Sequence, residues 1–223
     1  MSKVLVVSAH PDDETLGCGG TLLKHKANGH QIAWLITTNM TKDLGFSDNR
    51  IAERQEEIQQ VAAAYGVKKV YKLEYPTMCL SSETQLTMIP RVSKVISDFQ
   101  PEIIYVLNRS DAHSDHKFTF EAVAACTKSF RYPYIKKVLM YECISETEFA
   151  PELPEKIFMP NYFVDISDHF EGKCKIMEIF ESELAPHPFP RSIRNIEALA
   201  TYRGASVGVE YAEAFQAIKI IDK

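Results

Sequence analysis

Short apolar runs alternate with longer amphipathic segments along the first two thirds of the chain. Five runs rich in valine, isoleucine, leucine and aromatic residues predict strands at residues 3–9, 31–38, 69–75, 103–108 and 137–142. Because they are nearly continuous rather than alternating, such runs are typical of strands buried on both faces of a parallel sheet. Apolar residues at helical spacing predict helices at residues 21–27, 49–65, 86–99 and 116–130.

This alternation of strands and helices predicts an α/β fold with a doubly wound, mostly parallel, Rossmann-like sheet. The right-handed crossover rule favours the strand order 3-2-1-4-5. Beyond residue 145 prolines interrupt the pattern, and we expect an added strand at residues 162–166 and a helix at residues 170–184. No linker or repeat separates this C-terminal elaboration from the rest, so we expect residues 1–223 to form a single domain.

Composition and charge narrow the class of protein. The 223 residues are 45% hydrophobic and 25% charged with a formal net charge of −5, which indicates a globular chain without a basic surface for nucleic acid. Five widely spaced cysteines, with no C-x-x-C pair, favour a reducing cytoplasm over a disulfide framework. With no signal-peptide pattern and no apolar run near 18 residues, we expect a cytoplasmic protein without a membrane span. The sequence leaves open whether the chain forms a homo-oligomer.

Histidines and acidic residues follow the first and fourth predicted strands directly. The segment HPDDE (residues 10–14) comes after strand 1, and DAHSDH (residues 111–116) comes after strand 4. In the predicted order these two strands are neighbours, and the connections after them leave in opposite directions. Doubly wound sheets open a ligand-binding crevice at such a point. We therefore expect the two clusters to face each other.

The residue types in these clusters suit a zinc hydrolase. Catalytic zinc takes three ligands from histidine and carboxylate side chains and keeps one position for water. His10 and Asp13 lie three residues apart in a turn and could point to one spot as two ligands. Asp12 diverges from Asp13 and could act beside the metal as a general base. Either His116 or His113 would complete the site.

The histidine that does not bind the metal would be free to protonate a leaving group, with Asp115 orienting its ring. A purely structural alternative exists, because Asp12, Asp13 and Glu14 precede a helix and Asp115 opens another, where acidic residues complement the helix dipole. Histidines in both clusters, at neighbouring strand ends, favour the functional interpretation.

AHPDDETLGCGG (residues 9–20) and DAHSDH (residues 111–116) resemble the two signature segments of the LmbE-like (PIG-L) family of zinc-dependent N-acetylglucosamine deacetylases. Further matches lie at residues 54–57 with 65–67, 165–167, 203–204 and 211–215, so the resemblance covers nearly the whole chain. The resemblance implies a zinc-dependent hydrolase that removes an N-acyl group, in the first place acetyl, from a small amino sugar or sugar conjugate.

Residue by residue, the resemblance places zinc on His10, Asp13 and His116. It makes Asp12 the base that activates water. It gives His113 the role of an acid or an oxyanion stabiliser.

The same resemblance has Asp115 hold the His113 ring, and we expect this carboxylate to favour the imidazolium and raise the pKa of His113. It places Glu14 behind the metal ligands and Arg54 at the substrate. An ion pair between Arg54 and Glu57 on one helix face is an equally good interpretation of that arginine.

Other functional classes stay open. Many family members carry a sugar-binding aspartate after strand 3 where this chain has Thr77, so its sugar contacts are undetermined. The alternatives are a metal-dependent phosphoesterase or other hydrolase using the same site, and a non-catalytic carbohydrate-binding protein. A dinucleotide site at Gly17, Gly19 and Gly20 is excluded, because the third glycine of that motif would fall on Leu22. We expect these glycines to let a helix pack close to the sheet.

Overall fold

The computed structural model describes residues 1–151 and 153–222, and a seven-stranded sheet forms its centre. The strands are β1 (Lys3–Ser8), β2 (Gln31–Asn39), β3 (Val67–Pro76), β4 (Ile103–Leu107), β5 (Lys137–Tyr141), β6 (Tyr162–Asp165) and β7 (Ala212–Ile220). The helices are α1 (Asp13–Ala27), α2 (Asp48–Tyr65), α3 (Gln85–Phe99), α4 (Ser114–Ala125), α5 (Phe170–Met177) and α6 (Ile193–Ala205).

The strands are ordered β3-β2-β1-β4-β5-β7-β6, which confirms the predicted order of the first five. Those five pair in parallel, and β1 lies between β2 and β4, with Val6 opposite both Trp34 and Tyr105. The predicted α/β, mostly parallel fold is therefore confirmed. Because β1 and β4 are adjacent, the segments that follow them start side by side at one edge of the sheet.

Two hydrophobic cores cover the two faces of the sheet. Successive residues of a strand point to opposite faces, so Val4 and Val6 of β1 pack with α1, α2, α5 and α6. Leu5 and Val7 pack instead with α3 and α4. This sandwiched sheet explains the continuous apolar runs in the sequence. Among residues 1–151 and 153–222, no helix is both long enough and apolar enough to cross a bilayer.

The C-terminal part extends the same sheet. The predicted added strand is β6, but the helix expected at residues 170–184 ends at Met177. Sequence reasoning missed β7, which inserts antiparallel between β5 and β6, with Leu139 opposite Ala217. It also missed α6. A strand paired with partners more than 45 residues distant leaves little local signal.

Helix α1 begins at Asp13, eight residues before the predicted start. Three glycines in its first half lower its helix propensity and so hide that start from a sequence pattern. Close packing explains two of them: a Cβ on Gly17 would lie 2.1 Å from the Tyr141 ring, and one on Gly20 would lie 2.8 Å from Ile166. The expectation that these glycines let the helix pack close to the sheet is confirmed at Gly17, which faces Tyr141 of β5, whereas Gly20 faces Ile166 just after β6.

Candidate active site

The two predicted clusters meet at the ends of β1 and β4. The ring centroids of His10 and His113 are 4.5 Å apart, and those of His10 and His116 are 5.5 Å apart. A pocket of about 230 Å³ opens beside them, with Asp12 and Asp13 in its lining. The predicted juxtaposition of residues about 100 positions apart is thus present.

Three of these side chains could hold one metal ion. His10, Asp13 and His116 each offer a ligand atom, and these atoms all lie within 4.8 Å of one another. His116 Nε2 is 3.3 Å from Asp13 Oδ1, and His10 Nδ1 is 3.8 Å from Asp13 Oδ2. The backbone N–H groups of Ala9 and His10 donate to Asp13 Oδ2 at 3.0 and 2.8 Å, which fixes the carboxylate and leaves Oδ1 facing His116.

Carboxylates orient both histidines of this triad. His116 Nδ1 donates to Asp111 Oδ2 at 2.8 Å, and His10 Nε2 lies 3.1 Å from Asp115 Oδ2. Metal-binding histidines commonly donate their second N–H to a carboxylate, which fixes the tautomer and leaves the other nitrogen free for the metal. The arrangement leaves His116 Nε2 and His10 Nδ1 directed at the shared position.

Sequence reasoning missed Asp111, although it opens the second motif. Its Oδ1 accepts hydrogen bonds from Asn108 Nδ2 at 2.7 Å and from Thr147 Oγ1 at 2.6 Å. This carboxylate is therefore held on both oxygens, and its position fixes the His116 ring. The only signal in the sequence was that the motif opens on an acidic residue.

A buried orphan atom supports a metal at this triad. His116 Nε2 is buried without a hydrogen-bond partner among the described residues. Leaving a buried polar atom unsatisfied costs about 1–3 kcal/mol, so this nitrogen is expected to have a partner such as a metal ion. The nitrogen and oxygen donors of the triad match what a zinc ion takes from proteins.

A second possible triad shares His10 and consists of His10, His113 and Asp115. The Asp115 carboxylate of this second triad already has several partners, however. Asp115 accepts from the backbone N–H of Met78 at 2.7 Å and of Leu80 at 3.1 Å, as well as facing His10. Because no comparable orphan nitrogen occurs there among the described residues, the first triad is the better metal site.

The charges of the first triad reinforce one another. Burial opposes ionisation of Asp13, but the facing His116 and His10 outweigh it and hold the pKa of Asp13 below its usual range. Burial likewise opposes protonation of His116, yet Asp13 and Asp111 raise its pKa well above the ordinary value. Negative charge at this point favours a cation, whether a proton or a metal ion.

The Asp12 side chain lines the pocket. Its backbone has φ 139°, an unusual conformation for a residue other than glycine, and its carboxylate does not cap α1. Burial, followed by repulsion from Asp13 and Glu183, raises its pKa well above the usual value. A buried carboxylate with a raised pKa has a stronger tendency to accept a proton, as a general base must.

Glu14 lies behind this turn. It is fully buried, accepts from Thr15 Oγ1 at 2.7 Å and from the backbone N–H of Asp12 at 3.1 Å. Burial raises its pKa to about 8. Its contact with the Asp12 backbone helps to hold the strained turn.

The expectation that Asp115 holds and charges His113 is wrong. His113 Nδ1 accepts from the backbone N–H of Asp115 at 3.1 Å and so caps α4, while the Asp115 carboxylate is 4.0 Å away and faces His10. Burial, together with the nearby His10, lowers the pKa of His113 to about 4. With Nδ1 accepting, the neutral ring carries its proton on Nε2 and can only donate there.

Arg54 and Thr77 both line the pocket. The Arg54 guanidinium is buried, donates to the Pro11 carbonyl at 2.6 Å and pairs with Glu183, while its Nε lies 3.0 Å from Glu57. The alternative Arg54–Glu57 ion pair is therefore present, and the Pro11 contact ties α2 to the loop that carries Asp12.

The far wall of the pocket escaped sequence reasoning. It consists of Cys143, Ser145 and Glu146 after β5, together with Glu183 and Arg191 from the C-terminal part. Arg191 donates to Ser145 Oγ at 2.8 Å and to the Glu183 carbonyl at 3.0 Å, which joins the two segments. No motif marks these residues, since only the folded chain brings them to the site.

Comparisons with known proteins assign the family. The model of the PIG-L family, described as GlcNAc-PI de-N-acetylase, matches residues 5–127, more than half of the chain. The chain belongs to this family. The matched stretch contains His10, Asp12, Asp13, His113 and His116.

Relatives extend the likeness over the rest of the chain. A diacetylchitobiose deacetylase of Thermococcus kodakarensis is 28% identical over 234 residues, covering 97% of this chain and 83% of the relative. A probable N-acetyl-α-D-glucosaminyl L-malate deacetylase 2 of Bacillus anthracis is 23% identical over 190 residues, covering 82% and 81%. The structure of N,N'-diacetylchitobiose deacetylase from Pyrococcus horikoshii matches with a TM-score of 0.74 and 25% identity, covering 98% of this chain and 84% of that one.

Proposed function

We propose that this protein is a zinc-dependent deacetylase that hydrolyses the N-acetyl group of an amino sugar or of an amino-sugar conjugate. Membership of the PIG-L family and the similarity to named diacetylchitobiose and GlcNAc–malate deacetylases support the reaction and the substrate class. The whole chain would act as one domain, because the pocket takes walls from both its N-terminal and its C-terminal parts.

One observation carries the proposal: the His10–Asp13–His116 triad, in which Asp13 and His116 are buried, lines the same pocket as Asp12, and His116 Nε2 has no hydrogen-bond partner among residues 1–151 and 153–222. Three protein ligands of nitrogen and oxygen type leave room for water, as in catalytic zinc sites. Bound there, zinc would polarise an amide carbonyl and lower the pKa of a water molecule.

The residues around the triad then divide the remaining work. Asp12, with its raised pKa, would take the proton from the attacking water and pass it to the departing amine. His113 would donate a hydrogen bond from Nε2 to the carbonyl oxygen as negative charge develops there. This assignment differs from a charged His113 acid, because its Nδ1 is occupied by the Asp115 backbone.

A mass-spectrometric screen would test the proposal. Zinc-loaded protein is incubated with N-acetylated sugars, nucleotide sugars and sugar conjugates, N,N'-diacetylchitobiose among them, and also with sugar phosphates. We expect loss of an acetyl mass with release of acetate and a free amine, and product formation slowed by about 10²–10⁴-fold with Asp12→Asn. Release of phosphate without acetate would instead support a phosphoesterase, and binding without any product would support a carbohydrate-binding protein.

A further inference from the structure

Helix α1 is broken directly behind the candidate metal site. Cys18 has φ −146° and ψ 23°, which is not helical, so a short first segment at residues 13–17 is separated from a longer second segment. The first segment carries Asp13, and the second packs on the sheet. A break exposes backbone N–H groups on one side and carbonyl groups on the other, and both must find partners because the region is buried.

A carboxylate from the last strand satisfies the N–H groups of the second segment. Glu213, on β7, accepts from the backbone N–H of Gly20 at 2.9 Å through Oε1 and of Thr21 at 2.7 Å through Oε2. This is a helix N-terminal cap supplied from almost 200 residues away, and its negative charge complements the helix dipole at that end.

A lysine from α5 satisfies the carbonyl on the other side of the break. Lys173 Nζ donates to the Leu16 carbonyl at 2.8 Å and to Glu213 Oε1 at 2.7 Å. Lys173 and Glu213 are only 4% and 5% exposed. Buried charges of this kind are stable only when paired and hydrogen-bonded, and together these two fill the gap in the helix.

Leu16 lies within one helical turn of Asp12 and Asp13 in the candidate site. The backbone N–H groups of Thr15 and Leu16 both donate to the Asp12 carbonyl at 2.9 Å. Asp12 itself is held in its strained conformation, and Asp13 follows it directly. A shift of the Leu16 backbone would therefore move the turn that aims the Asp12 and Asp13 carboxylates.

We infer that Lys173 and Glu213 are positioning residues for the candidate active site: by fixing the break in α1 they aim Asp13 at the metal position and Asp12 at the substrate. This inference rests on the proposed function for the roles of Asp12 and Asp13. Both residues lie outside the stretch of residues 5–127 that the family model matches. The C-terminal part thus completes a site whose two signature motifs, at residues 9–20 and 111–116, lie in the N-terminal part.

Zinc affinity, measured by chelator competition on the full-length metal-depleted protein, tests the inference without relying on turnover. The variants are Glu213→Gln, Lys173→Met and the milder Glu213→Asp, which keeps the charge but is too short to reach both N–H groups. We expect each to weaken zinc binding by up to about 10-fold, because the loss of a partner bonded directly to a metal ligand costs about 10–100-fold and these residues act one step further away. In the deacetylase assay kcat should fall with little change in KM.

A stability-matched control separates positioning from general destabilisation. Val92→Ala removes buried volume in α3, in the core on the other face of the sheet. At a temperature where all variants are folded, the control should keep the zinc affinity and kcat of the wild type. The double variant Lys173→Met/Glu213→Leu removes both charges and should regain melting temperature relative to the single variants, yet still bind zinc weakly.

Two results would overturn the inference. One is that Glu213→Asp and Lys173→Met bind zinc as tightly as the wild type. The other is that Val92→Ala loses zinc affinity to the same extent as these variants at an equal loss of melting temperature. A different result would identify failure of the proposed function instead. In that case wild-type protein binds zinc and the variants bind it weakly, but no protein releases acetate from any N-acetylated sugar.

Discussion

Replacing Asp111 by asparagine should weaken zinc binding while leaving the fold intact. Asp111 Oδ1 accepts from Asn108 and Thr147, and Oδ2 accepts from His116 Nδ1 at 2.8 Å. An asparagine oxygen can serve the first two donors. Its N–H₂ group would then face His116 Nδ1 and force the ring into the tautomer with the proton on Nε2, the atom that faces Asp13.

The magnitude follows from that contact. A zinc ligand must present a deprotonated nitrogen, so the proton on His116 Nε2 has to move to Nδ1 before zinc can bind. In the variant, Nδ1–H would then face the asparagine N–H₂ group, and two donors would oppose each other. Losing a carboxylate behind a metal-binding histidine typically weakens metal affinity 10–100-fold, which corresponds to about 1.4–2.7 kcal/mol.

The assay is competition for zinc between metal-depleted protein and a chelator of known affinity, with Asp98→Asn as the control. Asp98 is an exposed carboxylate on α3 that pairs with Lys69, far from the pocket. The control should match the wild type. A zinc affinity of Asp111→Asn within twofold of the wild type would refute the role of Asp111 in orienting His116.

Three further predictions concern single side chains. Asp12→Asn should retain zinc and lose activity by about 10²–10⁴-fold, the usual contribution of general acid–base catalysis; loss of zinc instead would mean that Asp12 rather than Asp13 is the ligand. His113→Gln should retain zinc and lower kcat without altering the alkaline limb of the pH–rate profile. The pKa of His113 is lowered to about 4, so the ring is already neutral at alkaline pH. Disappearance of the alkaline limb in this variant would support a charged His113 acid instead. Burial lowers the pKa of His25 to about 4. Protonation of His25 therefore favours the unfolded chain as the pH falls below about 6.5. Between pH 7 and pH 5 it should lower the free energy of unfolding of the wild type by about 2 kcal/mol. His25→Gln should lose correspondingly less stability over that interval in thermal melts, and equal losses would contradict the assignment.

The central parallel sheet could be predicted from local sequence patterns. The five parallel strands and their order follow from continuous apolar runs and the handedness of crossovers, and both are confirmed. Strand β7 was missed because its place is set by pairing with β5 and β6, not by its own pattern. The start of α1 was missed because its glycines oppose helix formation locally and are explained only by Tyr141 and Ile166 packed against them.

The same limit applies to the candidate site. The meeting of the two motifs was predictable because adjacent parallel strands end at one edge. The partner of Asp115 could not be predicted, because its side chain could face either His10 or His113. In the structure it faces His10, while His113 Nδ1 accepts a hydrogen bond from the backbone N–H of Asp115. Nor could the sequence reveal the role of Lys173 and Glu213, although Glu213 lies in the family-like segment at residues 211–215, because both act through the packing of α5 and β7 on α1.

Zinc titration of the metal-depleted protein, with acetate release followed on a panel of N-acetylated amino sugars, tests the central claim most directly. The account predicts that acetate release is restored in proportion to added zinc, up to about one ion per chain. His116→Ala, which loses one of three ligands, should stay inactive at the same zinc concentrations. Full acetate release by metal-depleted protein, or by His116→Ala, would contradict the account.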